Sequence, residues 1–262
     1  KMKKLISLTL ILLLSCTIRQ TDNNAKTEEV LEQQKSETQN VTKNNKQFCW
    51  KGKLNTKTNI LLHYQIQDDL IFGEISYLDT KEKKPIRIIG TIEEDSSIRL
   101  LEFNNKGNIT GIITGLPKDE ELTGNWFSPK TNKESSLNLN RIDTILENEN
   151  IETNLENVIG DYHYQYSEAG YQGDLTIRKV NADEISFSIL SVTGEPGRNM
   201  AIIETDTIEA STDFIYKLPN TENCEFKIRI FKDFAFIKYT EGFCEGIFGH
   251  NATIEGIFYK QK

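Results

Sequence analysis

The sequence predicts an all-β protein: two small antiparallel, meander or barrel-like modules set behind an apolar leader and a polar tether. Three observations lead there. From Phe48 onward the chain runs as short apolar segments with period-two alternation, separated by Gly, Asn and Asp. A glycine follows one or two aliphatic residues about once per hairpin. Residues 17–46 hold no aromatic side chain and only scattered aliphatics, so folding begins after them.

The leader comes first. Lys1-Met2-Lys3-Lys4 is basic, and eight of the ten residues from Leu5 to Leu14 are large aliphatics. A run of this length is too short for a membrane span, which takes about 20 residues, and it has the length of a signal-peptide apolar region. The stretch Leu13-Leu14-Ser15-Cys16 resembles the lipobox of bacterial lipoproteins. That resemblance implies cleavage of residues 1–15, diacylglycerol on the Cys16 thiol and acylation of the new amino group. Several acyl chains hold a protein stably where one holds it marginally. The implied location is the bacterial cell envelope, on the outer membrane. Residues 16–46 are then the lipidated cysteine and a disordered tether, too polar to offset the entropy of ordering. Such a tether has a root-mean-square reach of roughly 30 Å.

The formal net charge is −8. Loss of Lys1, Lys3 and Lys4 with the leader leaves 28 basic residues of 31 against 39 acidic ones, a net of −11. An acidic chain repels nucleic-acid phosphates and anionic head groups. Nucleic acid is therefore excluded as a partner, and membrane contact is expected only through Cys16.

Residues 47–142 form the first module. Ile60–Ile66 and Leu70–Tyr77 read as a hairpin turned at Gln67-Asp68-Asp69. Ile86–Ile92, Ile98–Phe103, Ile109–Gly115, Leu122–Phe127 and Leu137–Ile142 continue the series. Asn104-Asn105-Lys106-Gly107-Asn108 is a strong turn signal. Gly52, Gly73, Gly90, Gly111 and Gly124 recur among the aliphatics. Glycine in a strand marks a bend, a bulge or a close backbone approach. One per hairpin suits a coiled meander closing into a small barrel.

Residues 143–158 read as a linker or one short helix, with Ile151, Leu155 and Val158 on one helical face. Residues 159–262 form the second module, of about eight alternating strands. Tyr162, Tyr164 and Tyr166 share one face. They suit a core, or else an exposed platform for a glycan or peptide.

The run Cys224-x-Phe226-x-Ile228-x-Ile230, then Cys244, then Phe248-Gly249-x-Asn251-Ala252-x-Ile254-x-Gly256-x-Phe258-Tyr259 resembles the small β-barrel modules of uncharacterised bacterial envelope proteins. It rests mainly on the last 40 or so residues, and implies a fold and a compartment. The general form is also similar to the disulfide-bearing barrels of periplasmic lysozyme inhibitors. The Ser-Gly loop that occludes lysozyme in one such family is not found here. Asp143-Thr144-Ile145 and Asp206-Thr207-Ile208 resemble a short O-glycosylation signal of some bacterial envelope proteins.

Of four cysteines, Cys16 is assigned to lipid, leaving Cys49, Cys224 and Cys244. Counted back from a turn near Lys232-Asp233, Cys224 and Cys244 fall roughly opposite, allowing for a bulge at Gly242. An exported domain favours a disulfide between them, worth on the order of 3 kcal/mol. Cys49 is expected as a buried free thiol. An intermolecular bridge or a reactive thiol are the alternatives, and nothing in the sequence sets His63 beside it.

His63, His163 and His250 lie apart, so no metal site is expected. The carboxylates of Asp68-Asp69 and Glu93-Glu94-Asp95 fall on turns, as solvated groups. No phosphate loop or nucleophile elbow occurs. No cofactor and no enzymatic activity is expected. The leading function is a lipid-anchored binding module for a protein or glycan partner. A lipocalin-like carrier of a small apolar ligand, and an inhibitor of lysozyme-type hydrolases, are the alternatives.

Overall fold

The computed structural model describes residues 46–262 apart from 83, 145 and 245. The leader, Cys16 and the tether up to residue 45 lie outside the described residues.

Eight strands make the first sheet: β1 (Lys46–Leu54), β2 (Thr58–Gln67), β3 (Leu70–Tyr77), β4 (Ile86–Ile92), β5 (Ile98–Phe103), β6 (Ile109–Lys118), β7 (Glu121–Ser128) and β8 (Lys133–Arg141). Each pairs antiparallel with the next, and β1 closes on β8 from Trp50↔Arg141 to Leu54↔Leu137, giving a closed barrel. The expected hairpin turn is two residues, Asp68 and Asp69, with Asp68 in the left-handed region at φ 58°. A two-residue turn with its first residue at positive φ follows the natural twist of two strands.

Inward positions alternate with outward ones. Trp50, Ile60, Leu62, Tyr64, Ile71, Ile75, Ile88, Leu100, Ile113, Leu122 and Leu139 fill the barrel. The recurring glycines sit on the inner face too, in register with these residues. Their reason is distance. A Cβ on Gly90 would lie 1.9 Å from the Arg99 carbonyl oxygen, and one on Gly124 would lie 2.1 Å from that of Thr114. An eight-stranded ring is narrow enough that its strands must bend sharply, and adjacent backbones meet where they do.

The described residues from 142 to 154 run without regular structure into α1 (Leu155–Val158), a single turn capped by Asn154. Ile151 and Val158 are buried as expected. Leu155 is exposed, because only the last of the three positions shares a helix with it.

The second sheet comprises β9 (Gly160–Gln165), β10 (Gln172–Lys179), β11 (Glu184–Val192), β12 (Met200–Glu209), β13 (Asp213–Lys217), β14 (Glu225–Ile230), β15 (Phe234–Glu241) and β16 (Gly256–Lys260). Its order is β12-β11-β10-β9-β16-β15-β14-β13. That is an up-and-down ring with β16 paired to β9 and one seam left open, between β12 and β13. Only residues 210–212 join those two strands, so their ends must meet. Tyr216 donates to Asp206 across the seam at 2.6 Å. Away from that end the Gly249 amide donates to the Met200 carbonyl, covering the start of β12. A register shift opposite Phe187 and Ile189 bulges β12 as well, a common way of blunting an edge strand.

Cys224 and Cys244 form a disulfide, both buried. They flank β14 and β15, as the count from the turn requires. The bulge between those strands falls at Thr240, where Phe226 faces Tyr239 and Glu225 faces Glu241. Gly242 instead takes φ 70° and opens a 3-10 turn, Gly242–Cys244.

The two barrels share one core. Leu70, Phe72, Ile89, Leu101, Phe103 and Ile109 on the outside of the first pack with Phe234, Phe236, Ile257 and Tyr259 of the second. Phe103 stacks on Tyr259 with centroids 5.4 Å apart. Arg87 reaches Glu149 at 2.6 Å and Asp233 at 2.9 Å. Asp69 is more than a solvated turn residue: it accepts from Arg229 at 2.5 Å. Gln261 donates to the Lys106 carbonyl, and Asn108 bridges to Gln165.

Candidate binding groove

Where the barrels part on one flank of this shared core, they leave a groove of about 590 Å3. That volume lies in the range of small-molecule sites. Its floor is apolar: Leu101 and Ile109 from the first barrel, Phe236 and Ile257 from the second. These are outward positions of β5, β6, β15 and β16, apolar because they continue the interface. The second barrel adds three tyrosines. Tyr164 is buried against Phe258. Tyr166, at the end of the same inward row, is half-buried and meets Tyr164 edge to face at 6.0 Å. Tyr171, from the loop that follows, is exposed. Of the three tyrosines on one face, Tyr162 and Tyr164 are thus core, and Tyr166 opens into the groove.

The rim is charged with both signs. Arg99, Glu93 and Glu94 come from the first barrel, Lys238 and Glu255 from the second. Arg99 reaches the Tyr166 hydroxyl at 3.4 Å. Burial raises the Glu255 carboxyl above the ordinary carboxylate value, with Lys238 pulling the other way and Glu93 adding a small push upward. Burial likewise raises the Tyr166 hydroxyl, against the nearby Arg99. Such a site can stack a ring or a sugar face and exchange hydrogen bonds along its edge.

A second depression of about 640 Å3 lies around Arg87, Glu149, Asp233, Tyr77 and Thr110. Its central cation is already matched by two carboxylates. Beneath it Glu102, 1 % exposed, closes the end of the first barrel. It accepts from Tyr77 at 2.8 Å and from the Trp126 indole at 2.7 Å.

Cys224 and Cys244 do not line the groove, and Cys16 is outside the described residues. Cys49 is free and buried. It stands opposite His63 in the β1–β2 register, a pairing the sequence did not disclose. Burial raises the Cys49 thiol and lowers the His63 imidazole, so both are held neutral rather than as a thiolate–imidazolium pair. His250 occupies the turn expected of it, and Thr144 and Thr207 are both exposed. Among the described residues no group of three or more His, Cys, Asp or Glu is placed to hold a metal ion.

Arg99, Tyr171, Lys238 and Glu255 were not legible as site residues. Each is an outward-facing strand or loop residue, and the groove exists only because two barrels dock. Tyr166 alone carried a signal, as the end of an alternating aromatic run. Comparison of the chain with protein-family models, with curated proteins and with solved structures finds no match to any of them.

Proposed function

We propose that the chain is a lipid-anchored cell-envelope protein that binds a protein or glycan partner in the groove between its barrels, without turning it over. The observation that carries this is the groove itself: an apolar, tyrosine-lined floor under a rim of both charges. The Leu13-Leu14-Ser15-Cys16 motif supports the anchor, and the disulfide suits an exported compartment. The carrier reading has less support, because bulky side chains fill both barrel interiors. The inhibitor reading rests on a general likeness alone.

The anchor is tested by substitution. Cys16→Ala should abolish acyl mass on the protein and release it from membranes into the soluble fraction. Retention equal to that of the parent would sink the anchor. The Cys16→Ala chain then serves as a soluble probe for the groove. Its cosedimentation with isolated bacterial envelopes should weaken about tenfold, or about 1.4 kcal/mol, when Tyr166 and Tyr171 are both replaced by Ala. Equal binding by the two chains would remove the groove as the site.

A further inference from the structure

Resting on that reading of the groove, we infer that its ligand is a short, uncharged oligosaccharide. Three features of the groove select this chemistry over a peptide or an acidic ligand.

The first is charge. Glu93, Glu94 and Glu255 face Arg99 and Lys238 around one opening. With both signs so nearly balanced, a strongly charged ligand gains from one set and loses to the other. A neutral polar ligand meets no such opposition.

The second is unused hydrogen-bonding capacity. Glu255 is half-buried, and its carboxylate, which can accept at about four lone-pair sites, has the Tyr239 backbone amide as a donor. Arg99 spends one weak contact on Tyr166. An acceptor with lone pairs left over thus shares the groove with a donor that has capacity to spare. A sugar hydroxyl donates and accepts at once, so neighbouring hydroxyls can bridge the two. The tyrosines supply what a pyranose face needs, a flat apolar surface with a polar edge.

The third separates sugar from peptide. A peptide captured by strand addition needs a free sheet edge. The strands that line the groove, β4, β5, β6, β9, β15 and β16, each have a strand neighbour on both sides, with β9 and β16 meeting at Tyr259↔His163 and Lys260↔Tyr162 only. The open edges of β12 and β13 contribute no residue to it. No whole strand edge is free in the groove, so recognition here rests mainly on side chains, across a space of ligand rather than protein-interface size.

The test is an array of short neutral oligosaccharides, dimers to hexamers, probed with the soluble Cys16→Ala chain. Isothermal titration of the retained sugars follows. At least one sugar should bind, and Glu255→Ala and Tyr171→Ala should each weaken it about tenfold. Circular dichroism confirms that both variants fold. If no neutral oligosaccharide is retained while the tyrosine pair still weakens envelope binding, the groove works on another partner, and only the sugar assignment falls. If a sugar binds but neither variant weakens it, sugar recognition lies elsewhere and the assignment falls as well. If neither sugars nor envelopes respond to any groove variant, both readings fall.

Discussion

Gly90→Ala should destabilise the protein by about 3 kcal/mol or more, at the top of the range for overpacking a core. The new methyl would stand 1.9 Å from the Arg99 carbonyl oxygen and 2.8 Å from the Leu100 Cα. Both belong to the backbone of β5, which pairs with β4 through Gly90↔Leu100. No rotamer change relieves a collision between two backbones. Either the pair spreads and loses ladder hydrogen bonds, or the barrel opens. Gly115 provides the contrast on the same inner face. Its Cβ would first meet the Leu122 Cδ1 at 2.9 Å, the far end of a flexible side chain. Gly115→Ala should therefore cost about 1 kcal/mol, near the bottom of that range. Urea midpoints of the two variants measure the difference. If Gly90→Ala were no costlier than Gly115→Ala, backbone approach would not be what demands glycine in these strands.

Glu102 should make the protein less stable as pH rises from acid toward neutral. Burial raises its carboxyl above the ordinary value of 4.5, and the hydrogen bonds from Tyr77, Trp126 and Thr110, which favour ionisation, only partly offset this. The folded chain thus holds this proton more tightly than the unfolded one. Its contribution is full below pH 4.5 and is lost as pH climbs through the raised folded value. The slope is at most about 1.4 kcal/mol per pH unit. Glu102→Gln removes the titration. Its Oε1 can still accept from Tyr77 and Trp126, and its amide can donate to the Thr110 hydroxyl, which lies 3.4 Å from Glu102 Oε2. The glutamine variant should lose less stability over that window and be at least as stable at neutral pH. Glu102→Ala should cost about 2–4 kcal/mol at any pH, because it strands a buried indole N–H and a phenol. Parallel stability–pH curves for the parent and Glu102→Gln would show that the carboxyl is not held protonated.

Most of the strand pattern was legible because alternation and turn chemistry are local. Ile60–Ile66, Asp68-Asp69 and Leu70–Tyr77 state a hairpin within eighteen residues, and the structure keeps it. The recurring glycines were legible as bends, though not the neighbour each one meets: Gly90 and Arg99 are nine residues apart, but Gly52 and Asn138 are 86 apart. Cys224 and Cys244 were legible because a single hairpin joins them. The helical face assigned to Ile151, Leu155 and Val158 was not kept. Ile151 is buried by tertiary contact, its carbonyl accepting from the Lys232 amide, without needing a helix.

The sequence by itself determined an all-β chain, two antiparallel meander modules with all strands of the first but β1, the disulfide pair and a buried Cys49. Each follows from side-chain period, turn residues or short-range counting. Only the tertiary structure decided that the first meander closes fully while the second leaves a seam. Closure depends on whether β1 finds β8, or β12 finds β13, and no local pattern encodes that meeting. Tertiary structure also decided the docking of the barrels, and with it the groove. Arg99 and Glu255 become neighbours of one opening because outward apolar residues of β5 and β15 bury each other. The hydrophobic effect that drives this is non-directional. A row of outward aliphatics therefore announces that something will be covered, and not what will cover it.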